Sequence, residues 1–215
     1  MNMRINSSYN VNFGSRNLFR VTLKQTGALK NLPGVNAVIS ELDFSDAARM
    51  EKYGLYWDQT QFGYQIIKEF LHDCREKSSC LGDLSRYFII ENPNDKTVER
   101  IKGLALAEVK EDTLSVDLLQ SERPIKEANS LRGIGSCLLY TIVQAAQEKI
   151  MKSVWLLPTR NAEPFYRKIG FKQYMGSEIN PICCSTCSNL FGLKNQDFAS
   201  FQKNMEDIYK ITPFA

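Results

Sequence analysis

The chain has 215 residues, of which 43% are hydrophobic and 24% are charged. This composition is typical of a folded globular protein and excludes a largely disordered chain. The net charge of +3 is too small to indicate nucleic-acid binding, and no apolar run approaches the ~20 residues of a membrane-spanning helix. We therefore expect neither nucleic acid nor a membrane as a partner.

The N-terminal part of the chain is basic and polar. Five basic residues and no acidic residue precede Glu41, and the first residues, MNMRINSSYNVNFGS, are rich in Asn and Ser. The apolar segment of a secretory signal is missing. We interpret residues 1–33 as a flexible extension with one added strand at NLFRVTLK. A targeting or export segment is the alternative.

The next segment predicts a strand followed by two helices. NAVISELDF has the pattern of a strand, and Ser45 or Asp46 is a suitable N-cap for the helix after it. A second helix is expected near residues 61–75, where apolar residues recur at helical spacing.

Three strands joined by two short turns are expected to follow. The strands are RYFIIEN, RIKGLALAEVK and LSVDLLQ, and the turns PNDK and EDT make both connections antiparallel. In an undistorted strand side chains alternate between faces. The last strand should therefore place Leu114, Val116 and Leu118 on one face and Ser115, Asp117 and Leu119 on the other.

The order of elements predicts a mixed α/β sheet. A helix over about residues 133–149 precedes the apolar strand SVWLLP, a short helix AEPFYRKI that ends at Gly170, and a strand at FKQYM. The resulting order is β-α-α-β-β-β-α-β-α-β, in which the late helical crossovers imply some parallel pairing. The long helix has one apolar face and one more polar face. The apolar face carries Ile134, Leu138, Ile142 and Ala145, and the polar face carries Ser136, Tyr140, Gln144 and Gln147.

The start of the long helix, SLRGIGSCLL, contains two glycines at a place where glycine is unfavourable. One interpretation is a turn. The other is an anion site, in which bare backbone N–H groups and the helix dipole hold a phosphate and Arg132 adds charge. The stretch lacks the Lys-Ser/Thr of a P-loop and the G-x-G-x-x-G of a dinucleotide-binding domain, so neither of those classes is expected.

A second motif, AEPFYRKIGF, follows at residues 162–171. With both motifs in this order, the chain resembles the GNAT acetyltransferase superfamily, which carries Q/R-x-x-G-x-G/A at its central helix and a pattern like A-x-x-F-Y-x-x-x-G-F further on. Two positions depart from the family: Ser130 stands where Gln or Arg is usual, and Thr159 stands where Asn is frequent.

The resemblance implies a mostly antiparallel central sheet with flanking helices, whose strands splay around an acyl-CoA cleft. It would occupy residues 34–176, and acetyl-CoA would be the acyl donor. Backbone N–H groups near the two glycines would hold the diphosphate, and the pantetheine would lie between LSVDLL and SVWLLP. The residues expected to bind the donor are Leu118, Leu119, Leu131, Arg132, Gly133, Ile134, Gly135, Ser136, Asn161 and Phe165.

The resemblance also implies direct transfer of an acetyl group to an amine on a small molecule or a protein. Tyr166 would give a proton to the leaving thiolate, since a phenol is protonated at neutral pH. The amine must lose a proton, and Asp117 is our candidate base, with Glu108 and Glu122 as alternatives. A cysteine nucleophile is not needed.

Other interpretations stay open. A non-catalytic acyl-CoA-binding module, or transfer of a longer acyl chain, would fit the same motifs. The cluster CCSTC, with Cys183, Cys184 and Cys187, could support a zinc-bearing interaction protein, but a structural zinc site needs four ligands, so we expect no metal. Six cysteines in a chain of this length favour a reducing, cytoplasmic location. Residues 177–215 are expected to pack on the domain, with a helix near 197–209, and to shape the acceptor site or a homodimer contact.

Overall fold

The computed structural model describes residues 16–26, 34–55, 61–76, 84–97, 100–121, 130–174 and 189–214. The strands in these residues are β1 (Arg16–Thr26), β2 (Val35–Glu41), β3 (Ser85–Glu91), β4 (Ile101–Lys110), β5 (Thr113–Ser121), β6 (Ser130–Arg132), β7 (Ser153–Leu156), β8 (Lys172–Tyr174), β9 (Leu190–Lys194) and β10 (Thr212–Pro213). The α-helices are α1 (Ala47–Gly54), α2 (Phe62–Arg75), α3 (Ile134–Glu148), α4 (Glu163–Lys168) and α5 (Asn195–Tyr209).

The strands form one sheet in the order β10-β1-β2-β3-β4-β5-β7-β9-β8, and β6 pairs with β1 outside this path. The β5–β7 pair is parallel, because α3 crosses over between these two strands, and the other described pairs are antiparallel. The predicted mixed, mostly antiparallel α/β sheet is therefore confirmed.

Both terminal segments contribute strands to this sheet. The strand expected at NLFRVTLK is β1, which pairs with β2, β6 and β10. Strands β6, β9 and β10 were not predicted, because their pairing partners lie far away in the sequence. The predicted division of the chain at residues 33/34 and 176/177 stays a prediction.

The two faces of the sheet bury two separate hydrophobic cores. The larger core includes side chains of α3 and α5 together with Tyr166 of α4. The smaller core, under α1 and α2, includes Met50, Ile66 and Phe70 against Tyr87 and Leu106. In the described residues, no helix is both long and apolar enough to cross a membrane.

Helix α5 covers the expected polar face of α3 at Ser136, Tyr140 and Gln144, whereas Gln147 is exposed. The Tyr140 hydroxyl donates to Glu206 Oε1 at 2.7 Å, and Gln202 Nε2 donates to Gln144 Oε1 at 2.6 Å. Ser136 on the same face is only 3% exposed. The C-terminal helix predicted near 197–209 is therefore present, and it supplies hydrogen-bond partners that let this face be buried.

Asp46, one of the two expected positions, is the N-cap of α1, but its side chain makes no capping hydrogen bond to that helix. Asp43 caps a short 3₁₀ turn, Phe44–Asp46, that leads into α1. The Asp43 carboxylate accepts from the Ser45 N–H at 2.8 Å, and Asp46 Oδ2 accepts from the Asp43 N–H at 3.0 Å. In this reciprocal capping box, the Asp43 carboxylate satisfies the Ser45 N–H and the Asp46 carboxylate satisfies the Asp43 N–H.

Candidate functional site

A bulge in β5 opens the sheet at its centre. Leu106 of β4 pairs with Leu118, but Ala107 pairs with Val116, so Asp117 is an extra residue in β5. The parallel pairing with β7 ends at Val116 and Leu156, although β5 continues to Ser121. Beyond Val116, β5 therefore has no partner on its β7 side among the described strands. This unpaired part of β5 is the place where the resemblance implies that the strands splay.

The bulge also changes the expected faces of β5. Leu114 and Val116 lie in the larger core and Leu119 packs against it, whereas Leu118 packs against the smaller core. The prediction that Leu118 shares a face with Leu114 and Val116 was wrong, because the extra residue shifts the alternation by one position.

The N-terminus of α3 lies beside this opening and has no side-chain cap. Its N-cap, Gly133, has φ +100°, a left-handed conformation that favours glycine. The first helical hydrogen bond runs from the Cys137 N–H to the Gly133 carbonyl at 2.9 Å. The N–H groups of residues 134–136 therefore have no acceptor within the helix. Together with the helix dipole they make a site for an anion.

These N–H groups face a cleft of about 620 Å³ between β5, α3 and α4. Residues of the two predicted motifs line most of the cleft, and Tyr209 at the end of α5 completes it. Its described lining includes the basic residues Arg132 and Lys168 and no carboxylate. A Cβ on Gly135 would lie 3.4 Å from Phe165 Cζ and 3.5 Å from Leu119 Cδ2, so the wall is closely packed there. The cleft therefore suits a ligand with an anionic group.

Tyr166 lines the cleft from α4. Its ring makes edge contacts with Phe165 and Phe171, at centroid distances of 5.0 and 6.0 Å. Burial raises the pKa of Tyr166 to about 12. The hydroxyl consequently keeps its proton at neutral pH and can act as a donor.

A polar cluster lies on the other face of the sheet at the same bulge. Lys110 Nζ lies 3.1 Å from Asp117 Oδ2 and 3.1 Å from Glu108 Oε2, and the Ser115 hydroxyl donates to Asp117. Above this group, α2 contributes Glu69 and Asp73. The side chains of Glu108, Lys110 and Asp117 are 36%, 38% and 27% exposed, so solvent reaches the cluster.

Partial burial and then neighbouring charges change the pKa values of this polar cluster. Partial burial and then a hydrogen bond with Asp117 raise the pKa of Glu108. Partial burial and the charges of Asp117 and Asp73 raise the pKa of Glu69. Burial lowers the pKa of Lys110, but Glu108 and Asp117 outweigh that effect and raise it. The cluster therefore contains a carboxyl group that holds its proton more strongly than usual, next to a fixed cation.

The structure brings most of the predicted donor-binding residues together. Those that line the cleft are Leu119, Leu131, Arg132, Gly133, Ile134, Gly135, Ser136, Phe165 and the predicted proton donor Tyr166. Leu118 and Asp117 lie on the opposite face of the sheet, and Asn161 is exposed and does not line the cleft. The candidate base Asp117 is thus separated from the cleft lining by the thickness of β5.

Several lining residues were not predicted as site residues. Ala162, Lys168 and Ile169 lie within the second motif or beside it, so the motif could have indicated them. Gln120 and Ser121 follow the predicted strand residues. Tyr209 has no local sequence signal, because it reaches Gly133 only through the packing of α5 on α3.

Some sequence predictions lie outside the described residues. They are Glu122, proposed as an alternative base, and the CCSTC cluster. In the part of the chain that the structure describes, no group of His, Cys, Asp and Glu side chains is arranged to hold a metal ion. Cys137 is fully buried, and burial raises its pKa to about 12, so this thiol is neither accessible nor ionised.

Comparison with known proteins supports the fold. No family model matches the sequence, and neither does any curated protein. Among solved structures, a GNAT-family acetyltransferase from Staphylococcus aureus Mu50 aligns with TM-score 0.50 and 13% identity, over 74% of this chain and 99% of that one. AtaTR bound with AcCoA aligns with TM-score 0.51 and 14% identity, over 76% of this chain and 96% of that one.

At such low identity, these alignments establish the fold alone. The chain has the fold of the GNAT acetyltransferases, and the resemblance predicted from its two motifs is confirmed at that level. The splayed strands, the uncapped helix and the cleft between them are the parts of this fold that concern function.

Proposed function

We propose that the protein is an N-acetyltransferase that uses acetyl-CoA as donor and an amine as acceptor. The observation that carries the proposal is the cleft beside the β5 bulge, where the uncapped N-terminus of α3 meets a lining whose described residues include two bases and no carboxylate. A CoA molecule has an anionic nucleotide end and an apolar arm, and the cleft offers N–H groups to the first and Leu119 and Phe165 to the second.

The residues that would hold the donor are those around the start of α3. The N–H groups of Ile134, Gly135 and Ser136 would receive the diphosphate, with Arg132 nearby as a charge. The part of β5 beyond Val116 would receive the arm, because its backbone is open on that side. The bound donor supplies an acetyl thioester, which is reactive toward a neutral amine.

Tyr166 and the polar cluster would manage the protons of the reaction. The raised pKa of Tyr166 keeps its hydroxyl protonated, ready to neutralise a leaving thiolate in the cleft. On the other face, Asp117 and Glu108 would accept a proton from the acceptor amine. Lys110 lies between these two carboxylates and would hold them in place.

The acceptor would reach the bulge from the side of α2. Among the described residues there, four carboxylates outnumber the two lysines, Lys68 and Lys110, which favours a positively charged amine over an anionic acceptor. The acceptor would be a small molecule or a protein. We propose a reducing, cytoplasmic setting because Cys74 and Cys137 are free thiols, and a free-thiol count on the native protein would test it.

Titration calorimetry with acetyl-CoA and with CoA tests donor binding. Gly135→Glu should weaken binding by about 100-fold or more, because it adds a carboxylate and a side chain at the anion site. Gly135→Ala is the matched control, since its Cβ meets only ordinary contact distances. It should bind within about threefold of wild type, a change of under 1 kcal/mol.

Three results would decide between the candidate functions. Binding that Gly135→Glu abolishes, followed by acetylation in an amine screen, supports the proposal. Binding with no turnover on any amine supports a non-catalytic acyl-CoA-binding module, which the departure at Ser130 would fit. Failure of the folded wild type to bind either form of CoA would remove both.

A further inference from the structure

A second cavity, of about 510 Å³, lies at the end of the sheet formed by β10, β1 and β2. Its described lining comes from β1, β2, the turn after β3 and the segment that follows α5. None of these lining residues lines the cleft beside the β5 bulge. The cavity is therefore separate from that cleft, and its volume is within the usual range of small-molecule sites.

Strands β1 and β2 turn polar side chains toward this cavity. Val21 of β1 lies in the larger core, so its neighbours Arg20 and Thr22 point to the opposite face of the sheet. Where β1 pairs with β2, Arg20 lies opposite Val38 and Thr22 lies opposite Asn36. A guanidinium, a hydroxyl and an amide therefore share one wall of the cavity with an apolar side chain.

The segment after α5 is held against Arg20. Lys210 ends α5 in a left-handed conformation with φ +51°, and Thr212 then pairs with Arg20. The Phe214 N–H donates to the Leu18 carbonyl at 2.9 Å, and the Arg20 guanidinium carbon lies 4.5 Å from the centre of the Phe214 ring. The ring holds the guanidinium by a cation–π contact, and the N–H groups of Arg20 stay available as donors.

Two positive charges at the cavity have no opposite charge beside them. Within the described residues, neither Arg20 nor Lys210 forms an ion pair, and the described lining contains no carboxylate. Both side chains are exposed, so a solute can reach them. The lining also includes the apolar residues Val38 and Pro93. The cavity thus combines two cations with apolar surface.

We propose that this cavity is a binding site for a small anionic molecule that carries a carboxylate or a phosphate on an apolar body. Arg20 donates to the anionic group, Lys210 supplies a second charge, and Asn36 offers an amide donor. Val38 and Pro93 contact the apolar body. The site is independent of the proposed function, because it shares no described lining residue with the cleft.

Titrations with benzoate and with phenyl phosphate, followed by ligand-observed NMR, test the site, and benzyl alcohol is the neutral analogue. Wild-type protein should bind at least one of the anions about tenfold or more tightly than benzyl alcohol. Arg20→Gln and Lys210→Gln should each weaken that binding by about fivefold or more, since each removes a charge-assisted contact. Arg20→Lys should also weaken it, because the charge is kept but the planar fork is lost.

Lys203→Gln is the matched control. It removes the same charge from the exposed side of α5, outside the described cavity lining, and should bind the anions as wild type does. Asn36→Asp is a second test that keeps both cations. It adds a carboxylate to the lining and should weaken anion binding by about tenfold or more. Circular dichroism would verify that each variant is folded, and Arg20→Gln should keep the wild-type affinity for CoA.

The outcomes decide the proposal without reference to acetyl transfer. Anion binding that is weakened in Arg20→Gln, Lys210→Gln and Asn36→Asp but kept in Lys203→Gln supports the site, and the tighter probe identifies its anionic group. Failure of folded wild-type protein to bind either anion overturns it, as does unchanged affinity in Arg20→Gln or equally tight binding of benzyl alcohol. Because CoA is absent from these titrations, failure of the proposed function would leave the result intact.

Discussion

Tyr166 is held by aromatic packing rather than by a rigid backbone turn. Its ring lies between Phe165 and Phe171, and Phe171 in turn contacts Phe201 of α5 at 5.9 Å. Edge contacts of this kind favour one orientation of the ring, and they do not involve the hydroxyl. A residue with this environment can lose its hydroxyl without losing its position.

Tyr166→Phe should separate chemistry from binding. We expect kcat to fall by about 100-fold, because the proton donor is lost, while the Kd for CoA changes by less than about twofold. Steady-state kinetics together with calorimetry would check this. Unchanged kcat in a folded variant would remove Tyr166 from the reaction, and an equal loss of CoA affinity would indicate a packing role instead.

The β5 bulge determines which side chains of this strand face the cleft and which face the polar cluster. A single extra residue, Asp117, sends Leu119 toward the cofactor cleft and leaves Asp117 beside Lys110 on the other face. Bulges often redirect side chains next to active sites. Here the bulge makes a basic cleft and an acidic cluster the two sides of one strand.

Asp117 and Glu108 should determine how kcat/KM falls on the acid side of its pH profile. A carboxyl group accepts a proton only when ionised, and partial burial and then Asp117 raise the pKa of Glu108. Activity should therefore increase with pH through that raised pKa and be lost as the pH falls below it. In Asp117→Asn we expect a lower kcat/KM and an ascending limb shifted toward lower pH, because the charge that raises the Glu108 pKa is gone.

The control for this profile is Asp207→Asn, which removes an exposed carboxylate from α5 and should keep the wild-type limb. Rates would be measured as kcat/KM from pH 4 to 9, a range that includes the ordinary carboxyl and histidine regions at about 4 to 7. An Asp117→Asn profile that overlies the wild-type profile would show that the limb belongs to another group, such as the acceptor amine.

At the scale of the whole molecule, the terminal segments are part of one structure with the middle of the chain. Strand β9 lies between β7 and β8, and α5 contributes Phe198, Phe201 and Met205 to the larger core. The main contacts of α5 are with α3, whose N-terminus lines the cleft. Removal of the C-terminal segment would therefore uncover the core as well as the cleft wall.

Phe201→Ala tests how much the packing of α5 contributes to the free energy of unfolding. Phe201 is 4% exposed and contacts Phe171, so we expect the free energy of unfolding to fall by about 3–5 kcal/mol. Urea unfolding followed by circular dichroism would measure it, with Lys203→Ala on the exposed side of α5 as a control near zero. A loss under about 1 kcal/mol would mean that α5 contributes little to the core.

The sequence predicted those features of the fold that depend on interactions between residues close together in the chain. Capped helices, alternating strands and the two glycines at the start of α3 are local patterns, and the predicted helices at 61–75 and 133–149 agree closely with α2 and α3. The resemblance to GNAT acetyltransferases depended on the same local motifs and predicted the topology of the middle strands.

What the sequence could not determine is the set of features that depend on distant segments. The bulge at Asp117 is invisible in LSVDLLQ, because it exists only as a mismatch with β4. The burial of the polar face of α3, the place of β9 in the sheet and the ring of Tyr209 on Gly133 all require α5 or its neighbours to fold back across the chain. Local propensity and motif spacing therefore determined the elements and the uncapped, glycine-bearing start of α3. Long-range packing alone decided which side chains surround that site, because such packing brings together residues whose separation in the sequence carries no local signal.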